Sequence, residues 1–243
     1  RPERDVDVDR FKRFLVDLGE LGIPHTTYAW HTGGMYETHR DETRGVPTRG
    51  FSTELAGVAP RAYERDFTED ELWANYERFI DEVLPVAEQA GVALQLHPND
   101  PPIDHQGVPR LFKSTDAVRR AMAHAGQSPT SGILFCVGTW AEMAGSDGTG
   151  EDVPGALREF GARGQIHQVH LRNITAPLPN FAETFPDAGY LDLHEVMDVL
   201  VGVGFEGMIV PDHVPGDDAQ ILINEAYTLG YLRALIQYAK RKA

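Results

Sequence analysis

The chain has 243 residues, of which 42% are hydrophobic, enough to bury a sizeable core in one α/β domain. A formal net charge of −15 argues against a nucleic-acid partner, which needs clustered Lys and Arg, and the lack of any run of about 18 apolar residues argues against a membrane helix. The single cysteine, Cys136, excludes an internal disulfide and fits a reducing, cytoplasmic setting.

An amphipathic helix is expected over 8–21, followed by a strand from His25 to Trp30. Residues 31–66 then read as one long polar loop, of the kind that serves as a lid or binding loop. Thr68 and Glu71 form a capping box that opens a helix running to Gly91, with Pro85 expected to kink it. The strand Val92–His97 leads into Pro98-Asn99-Asp100-Pro101-Pro102, a stiff turn. A helix from Ser114 to Ala125 stops at Gly126, and a strand covers Ile133–Val137. A helix from Asp152 to Phe160 precedes the strand Ile166–Leu171, and residues 174–191 read as a second loop. Asp192 with Glu195 opens another helix, Met208–Asp212 is a strand, and a last helix starts near Ala219.

Strands alternating with helices at this spacing imply a parallel sheet. No glycine-rich phosphate-binding turn follows the first strand, which disfavours a doubly wound nucleotide-binding sheet. A (β/α)8 TIM barrel is favoured, because barrels gather their site residues at the C-terminal ends of several strands. Five strands are read, three short of eight. At roughly 30 residues per βα unit, about 90 residues are expected to be missing from the N-terminal side. Residues 1–243 are therefore expected to form a single, N-terminally incomplete barrel domain. Eight barrel strands within them would overturn that expectation.

Four of the strands end in residues able to bind a metal: His97, Cys136, His170 and Asp212. Each has an ordinary explanation alone. A cysteine after Leu134-Phe135 is usually a small core residue, a strand histidine is usually a hydrogen-bonded one, and Asp212 could cap a helix. Core residues have no reason to share the strand-terminal position four times, so together they predict a metal site.

The motifs His97-Pro98-Asn99-Asp100-Pro101-Pro102, Gly107-Val108-Pro109-Arg110, Cys136-Val137-Gly138-Thr139, His170-Leu171-Arg172-Asn173, Glu183-Thr184-Phe185, Pro211-Asp212-His213 and Gly230-Tyr231-Leu232-Arg233-Ala234-Leu235 resemble, in order, those of the mannonate dehydratase family. The resemblance runs from about residue 10 to the end. It implies a xylose-isomerase-like TIM barrel whose first strands are absent here. It also implies dehydration of D-mannonate to 2-keto-3-deoxy-D-gluconate, with His97, Cys136, His170 and Asp212 holding Mn2+. Two stretches depart from the family pattern: Val214 follows His213 where glycine is usual, and the segment Asp187–Asp192 is less acidic. These departures bear on the identity of the sugar acid.

Removing a proton α to a carboxylate and expelling a β-hydroxyl calls for a metal and a proton-transfer group. His213 is the expected base, Arg172 the expected clamp for the substrate carboxylate, and Tyr227 a further catalytic candidate. Asn173, His31, Asn99 and Arg49 are expected substrate contacts, with Tyr36 a weaker one; the remaining histidines read as solvated or structural. Zn2+, Fe2+ or Co2+ could replace Mn2+, since affinity alone favours Zn2+ at a thiolate–imidazole site. The expected partner is a small sugar acid, and a homo-oligomer is compatible with the sequence. A sugar isomerase or epimerase on the same barrel and a non-catalytic sugar-binding homologue are the alternatives.

Overall fold

The computed structural model describes residues 2–144 and 149–243. Its helices and strands, in chain order, are α1 Pro2–Glu20, β1 His25–Ala29, β2 His39–Thr43, β3 Val46–Ser52, α2 Thr53–Gly57, α3 Glu69–Ala90, β4 Ala93–His97, α4 Thr115–His124, β5 Ser131–Cys136, α5 Val137–Glu142, α6 Val153–Ala162, β6 Ile166–Leu171, β7 Asn173–Ile174, β8 Asn180–Thr184, α7 Leu193–Gly202, β9 Met208–Pro211 and α8 Ile221–Lys242.

Five strands form one parallel sheet in the order β1-β4-β5-β6-β9. Each pairs with the preceding parallel strand in the chain. A doubly wound sheet reverses direction at a switch point, whereas a barrel advances around its circumference as this sheet does. The fold is part of a (β/α)8 barrel, and five barrel strands are described. All six residues of β5 are buried, as expected for a parallel strand covered on both faces.

The sequence signals for the helices act as local chemistry requires. Thr68 Oγ1 accepts from Glu71 N at 3.1 Å to start α3, and Gly91 ends it in the left-handed conformation at φ 67°. Ser114, Asp152 and Asp192 cap α4, α6 and α7 in the same way. Helix α3 continues through Pro85 for its full length. The helices are stitched to one another by exposed ion pairs such as Arg120–Glu77 between α4 and α3, which contribute little each. Adhesion comes from apolar burial, at roughly 1.5–3 kcal/mol per large side chain. Phe135 stacks on Trp140 with centroids 3.9 Å apart, and Tyr76 meets Phe112 edge-on at 4.9 Å.

The two stretches expected as loops are the main correction. Residues 31–66 contain β2, β3 and α2, and the stretch from Asn173 onward contains β7 and β8. Together they build a four-stranded antiparallel sheet, β2-β3-β8-β7, at the C-terminal end of the barrel strands. The β2–β3 turn is made by Arg44 and Gly45, both at positive φ (50° and 78°), which gives a tight hairpin its matching twist. Arg-Gly is not the usual Asn-Gly or Asp-Gly signal, and strand pairing across about 130 residues leaves no local periodicity to read.

Candidate active site

The ends of β4, β5 and β6 bring His97, Cys136 and His170 together, with one ligand-type atom of each within 4.8 Å of the others. Asp212, the residue after β9, closes on two of them. Its Oδ2 lies 3.3 Å from Cys136 Sγ and its Oδ1 3.6 Å from His170 Nδ1. The His97 ring donates from Nδ1 to the Pro98 carbonyl at 2.7 Å, which leaves Nε2 with its lone pair. Burial lowers the pKa of both His97 and His170, favouring the neutral imidazoles that ligation needs. Burial pushes the Cys136 thiol well up, and the Asp212 charge adds to it, so without a cation the thiol keeps its proton. His170 Nδ1 is buried with no hydrogen-bond partner. A donor set of two imidazoles, a thiol and a carboxylate, one imidazole nitrogen left unsatisfied, fits a first-row divalent cation.

Behind this cluster lies a buried ion network. Arg172 donates from Nε to Asp212 Oδ2 (3.0 Å), from Nη1 to Glu142 Oε1 (2.7 Å) and from Nη2 to Asp100 Oδ2 (2.6 Å). Arg49, reaching in from β3, donates to Asp100 Oδ1 (2.5 Å), Glu183 Oε1 (2.9 Å) and the Tyr36 carbonyl (2.8 Å). Both guanidinium groups are almost fully buried. Gly138 makes room for the first of them, since a Cβ there would collide with the Arg172 side chain. Burial alone would raise Asp100, but Arg172 and Arg49 hold its carboxyl far below the usual carboxylate range. Burial, with the Asp100 charge, lifts Glu142 to about 8 against the two arginines.

His213 sits at the border between this network and solvent. Its backbone adopts a positive φ of 45°, and its ring lies against Asp212. Nδ1 is 2.8 Å from Glu183 Oε1 and Nε2 is 3.3 Å from Asp212 Oδ1. The Tyr36 hydroxyl lies 2.5 Å from Nδ1 and 2.9 Å from Nε2, and the two rings meet edge-on. An open cleft of about 490 Å3 is lined by Tyr36, Arg40, Thr48, Arg49, Glu183 and His213, among others.

Several expected site residues lie elsewhere. Arg172 and Arg49 were expected to meet substrate, yet their donors are consumed by protein carboxylates and a carbonyl. Asn99 is fully buried and braces the turn after β4, donating to the Trp30 carbonyl and accepting from Phe112 N. Asn173 is equally buried and ties β7 to the Pro186 and Leu191 carbonyls. Tyr227, on α8, packs against Phe185 and Tyr231, and no contact links it to His213 among the described residues. His31 is solvent-accessible, though partial burial of its ring, followed by the charges of Arg110 and His97, lowers its pKa.

A family model described as D-mannonate dehydratase (UxuA) matches residues 58–241. The chain belongs to the D-mannonate dehydratase family. It is 30% identical to a mannonate dehydratase of Streptococcus suis (strain 05ZYH33), an alignment that covers 88% of this chain and 64% of the relative. It is 34% identical to one from Enterococcus faecalis (strain ATCC 700802 / V583), over 99% of this chain and 77% of the relative. The chain thus spans less than two thirds of the streptococcal relative's length. The crystal structure of mannonate dehydratase from Streptococcus suis serotype2 superposes with a TM-score of 0.87 at 30% identity, covering 100% of this chain and 74% of that one. A xylose isomerase domain protein from Planctomyces limnophilus, at TM-score 0.64 and 15% identity, shares the barrel fold.

In this member of the mannonate dehydratase family, the residues that sequence reasoning passed over are Asp100, Thr139, Glu142 and Glu183. Asp100 stood in plain view within His97–Pro102, and an acid following a ligand motif is a usable signal. Glu142 carried none, because the short helix α5 that presents it had not been anticipated.

Proposed function

We propose that this chain carries the metal-dependent dehydratase site of a sugar-acid hydro-lyase, converting D-mannonate to 2-keto-3-deoxy-D-gluconate and water. The observation that carries the reading is the convergence of His97, Cys136, His170 and Asp212 at four adjacent strand ends, with His213 beside them. In this reading those four residues hold a divalent cation, Mn2+ by family resemblance. When bound, that cation supplies positive charge that orients substrate oxygens and offsets negative charge developing on them.

His213 is assigned the proton-abstracting role. In this reading the Glu183 carboxylate, 2.8 Å from Nδ1, accepts from it, and the lone pair is on Nε2. Nε2 takes the proton from C2, and the C3–O bond breaks with its electron pair leaving on oxygen. The Tyr36 phenol, within hydrogen-bond reach of the same ring, gives a proton to the departing hydroxide. The resulting enol becomes the 2-keto product. Tyr36 takes this place in preference to Tyr227 because Tyr36 contacts His213, whereas Tyr227 makes no such contact among the described residues. Arg172 and Arg49 serve as positioning residues that hold Asp212 and Glu183.

The deciding experiment assays the full-length protein against a panel of hexonates with Mn2+, while measuring bound metal. Release of a 2-keto-3-deoxy acid supports a dehydratase, and release of an epimer or a ketose would replace it with the isomerase reading. Metal binding that survives loss of both His97 and Cys136 would remove the basis of the site.

A further inference from the structure

The substrate carboxylate needs a cation close to the base, because it is bonded to the carbon that His213 deprotonates. Arg172 and Arg49 are almost fully buried and already engaged by Asp100, Glu142, Glu183 and Asp212. The antiparallel register between β2 and β3 places Arg40 directly opposite Arg49. Directly opposed residues of an antiparallel pair project from the same face of the sheet, so both arginines face the cleft. Like charges in that position repel, and they persist here because Arg49 is neutralised from within by Asp100 and Glu183. Arg40 has no such partner. Among the described residues its one ion pair runs from Nε to half-buried Glu37 at 3.5 Å, a contact worth little, and no partner is seen for either Nη group. Arg40 and His213 line the same cleft.

We propose that Arg40 is the specificity residue that clamps the carboxylate of the acid substrate, through the free fork of its guanidinium. The proposal rests on the dehydratase reading for the identity of the acid, and on geometry alone for the recognition of a carboxylate. A guanidinium fork matches a carboxylate with two parallel hydrogen bonds, a match a lysine cannot make. Neutral sugars of the same size offer the fork nothing.

The test uses the full-length, metal-loaded protein, with Arg40→Gln and Arg40→Lys, and two readouts. The first is turnover: Arg40→Gln is expected to raise KM for D-mannonate roughly 10- to 100-fold with kcat changed far less, as for a contact made equally in the ground and transition states. Arg40→Lys is expected to recover part of that loss. The second is independent of turnover: D-mannonate, but not D-mannose, raises the melting temperature of the wild type, and Arg40→Gln abolishes the rise. Arg40 is exposed, so both variants are expected to melt like the wild type without ligand. If the wild type turns over no hexonate but its acid-specific rise is lost in Arg40→Gln, the dehydratase reading fails and the clamp stands. If Arg40→Gln keeps the wild-type KM and the wild-type rise, or the wild type shows no preference for the acid over the neutral sugar, the clamp is overturned.

Discussion

Arg172 Nε and Asp212 Oδ2 are joined at 3.0 Å, and that bond connects the metal-capable cluster to the buried ions behind it. The carboxylate that faces Cys136 and His170 is therefore aimed by a guanidinium that never meets solvent. Replacing Arg172 by Met leaves Glu142, Asp100 and Asp212 without their shared cation. The expected loss of stability is about 3–5 kcal/mol, read from urea unfolding of the metal-free protein. In whatever folds, metal affinity should fall roughly 10- to 100-fold, as is usual when the group orienting a ligand is removed.

Cys136→Ser tests the ligand set. Serine keeps the size and can still donate to Asp212, so the fold should persist and the melting temperature of the metal-free protein should change little. Oxygen is a poorer ligand than thiolate for Zn2+ and Co2+, and the Co2+-substituted wild type should show a thiolate charge-transfer absorption that the variant lacks. An unchanged absorption spectrum would place the cobalt away from Cys136.

His213→Gln removes the proposed base while leaving the four ligand residues untouched. Turnover should drop by about 100- to 10 000-fold with bound metal retained. Glu183→Gln should give a smaller loss, because the ring is then held by a neutral acceptor. Equal loss of metal and turnover in His213→Gln would make His213 a supporting residue of the metal site.

Glu142 gives a pH signature. Its folded pKa, lifted to about 8 mainly by burial, lies above the ordinary value of 4.5. A raised folded pKa means the folded state holds the proton more tightly. The associated stability is full below about pH 4.5 and is lost as pH rises through about 8. Asp100 has the opposite sign: its depressed folded pKa gives stability that is present above the ordinary carboxylate range and lost on acidification. Glu142→Gln should remove the alkaline-side loss, so the variant gains on the wild type as pH rises from about 5 to 8. Stability curves of the two metal-free proteins that run parallel over this range would contradict that assignment.

Asn173 accepts from Ile174 N and Leu191 N and donates to the Pro186 and Leu191 carbonyls. Asn173→Ala should cost about 2–4 kcal/mol through unsatisfied buried groups, measured by thermal or urea unfolding. KM for the sugar acid should stay within a few-fold, since the side chain reaches backbone and not substrate.

Much of the barrel was legible before any coordinates. Capping residues and stop glycines act within one turn, so Thr68, Ser114, Asp192 and Gly91 mark their helices wherever the chain goes. Strands β4, β5 and β9 are mostly apolar runs followed or ended by a ligand-type residue, and that also is local. The antiparallel sheet was not legible, because its pairing joins β3 to β8 across long stretches of chain and its turn uses an unusual pair, Arg44-Gly45. The roles of the polar residues were only half legible. Arg172 and Asn173 lie two and three residues after His170 and read as substrate contacts, yet both side chains are engaged by the protein.

The sequence by itself determined where strands and helices form and which strand ends carry ligand-type side chains, because hydrophobic period, caps and turns are written in neighbouring residues. Tertiary structure alone decided the use of each charge. A carboxylate or guanidinium looks the same in sequence whether it meets substrate or another ion. Only the convergence of β3, α5, β6 and β8 shows that Arg49 and Arg172 are spent on Asp100, Glu142, Glu183 and Asp212, leaving Arg40 with its fork open at the cleft.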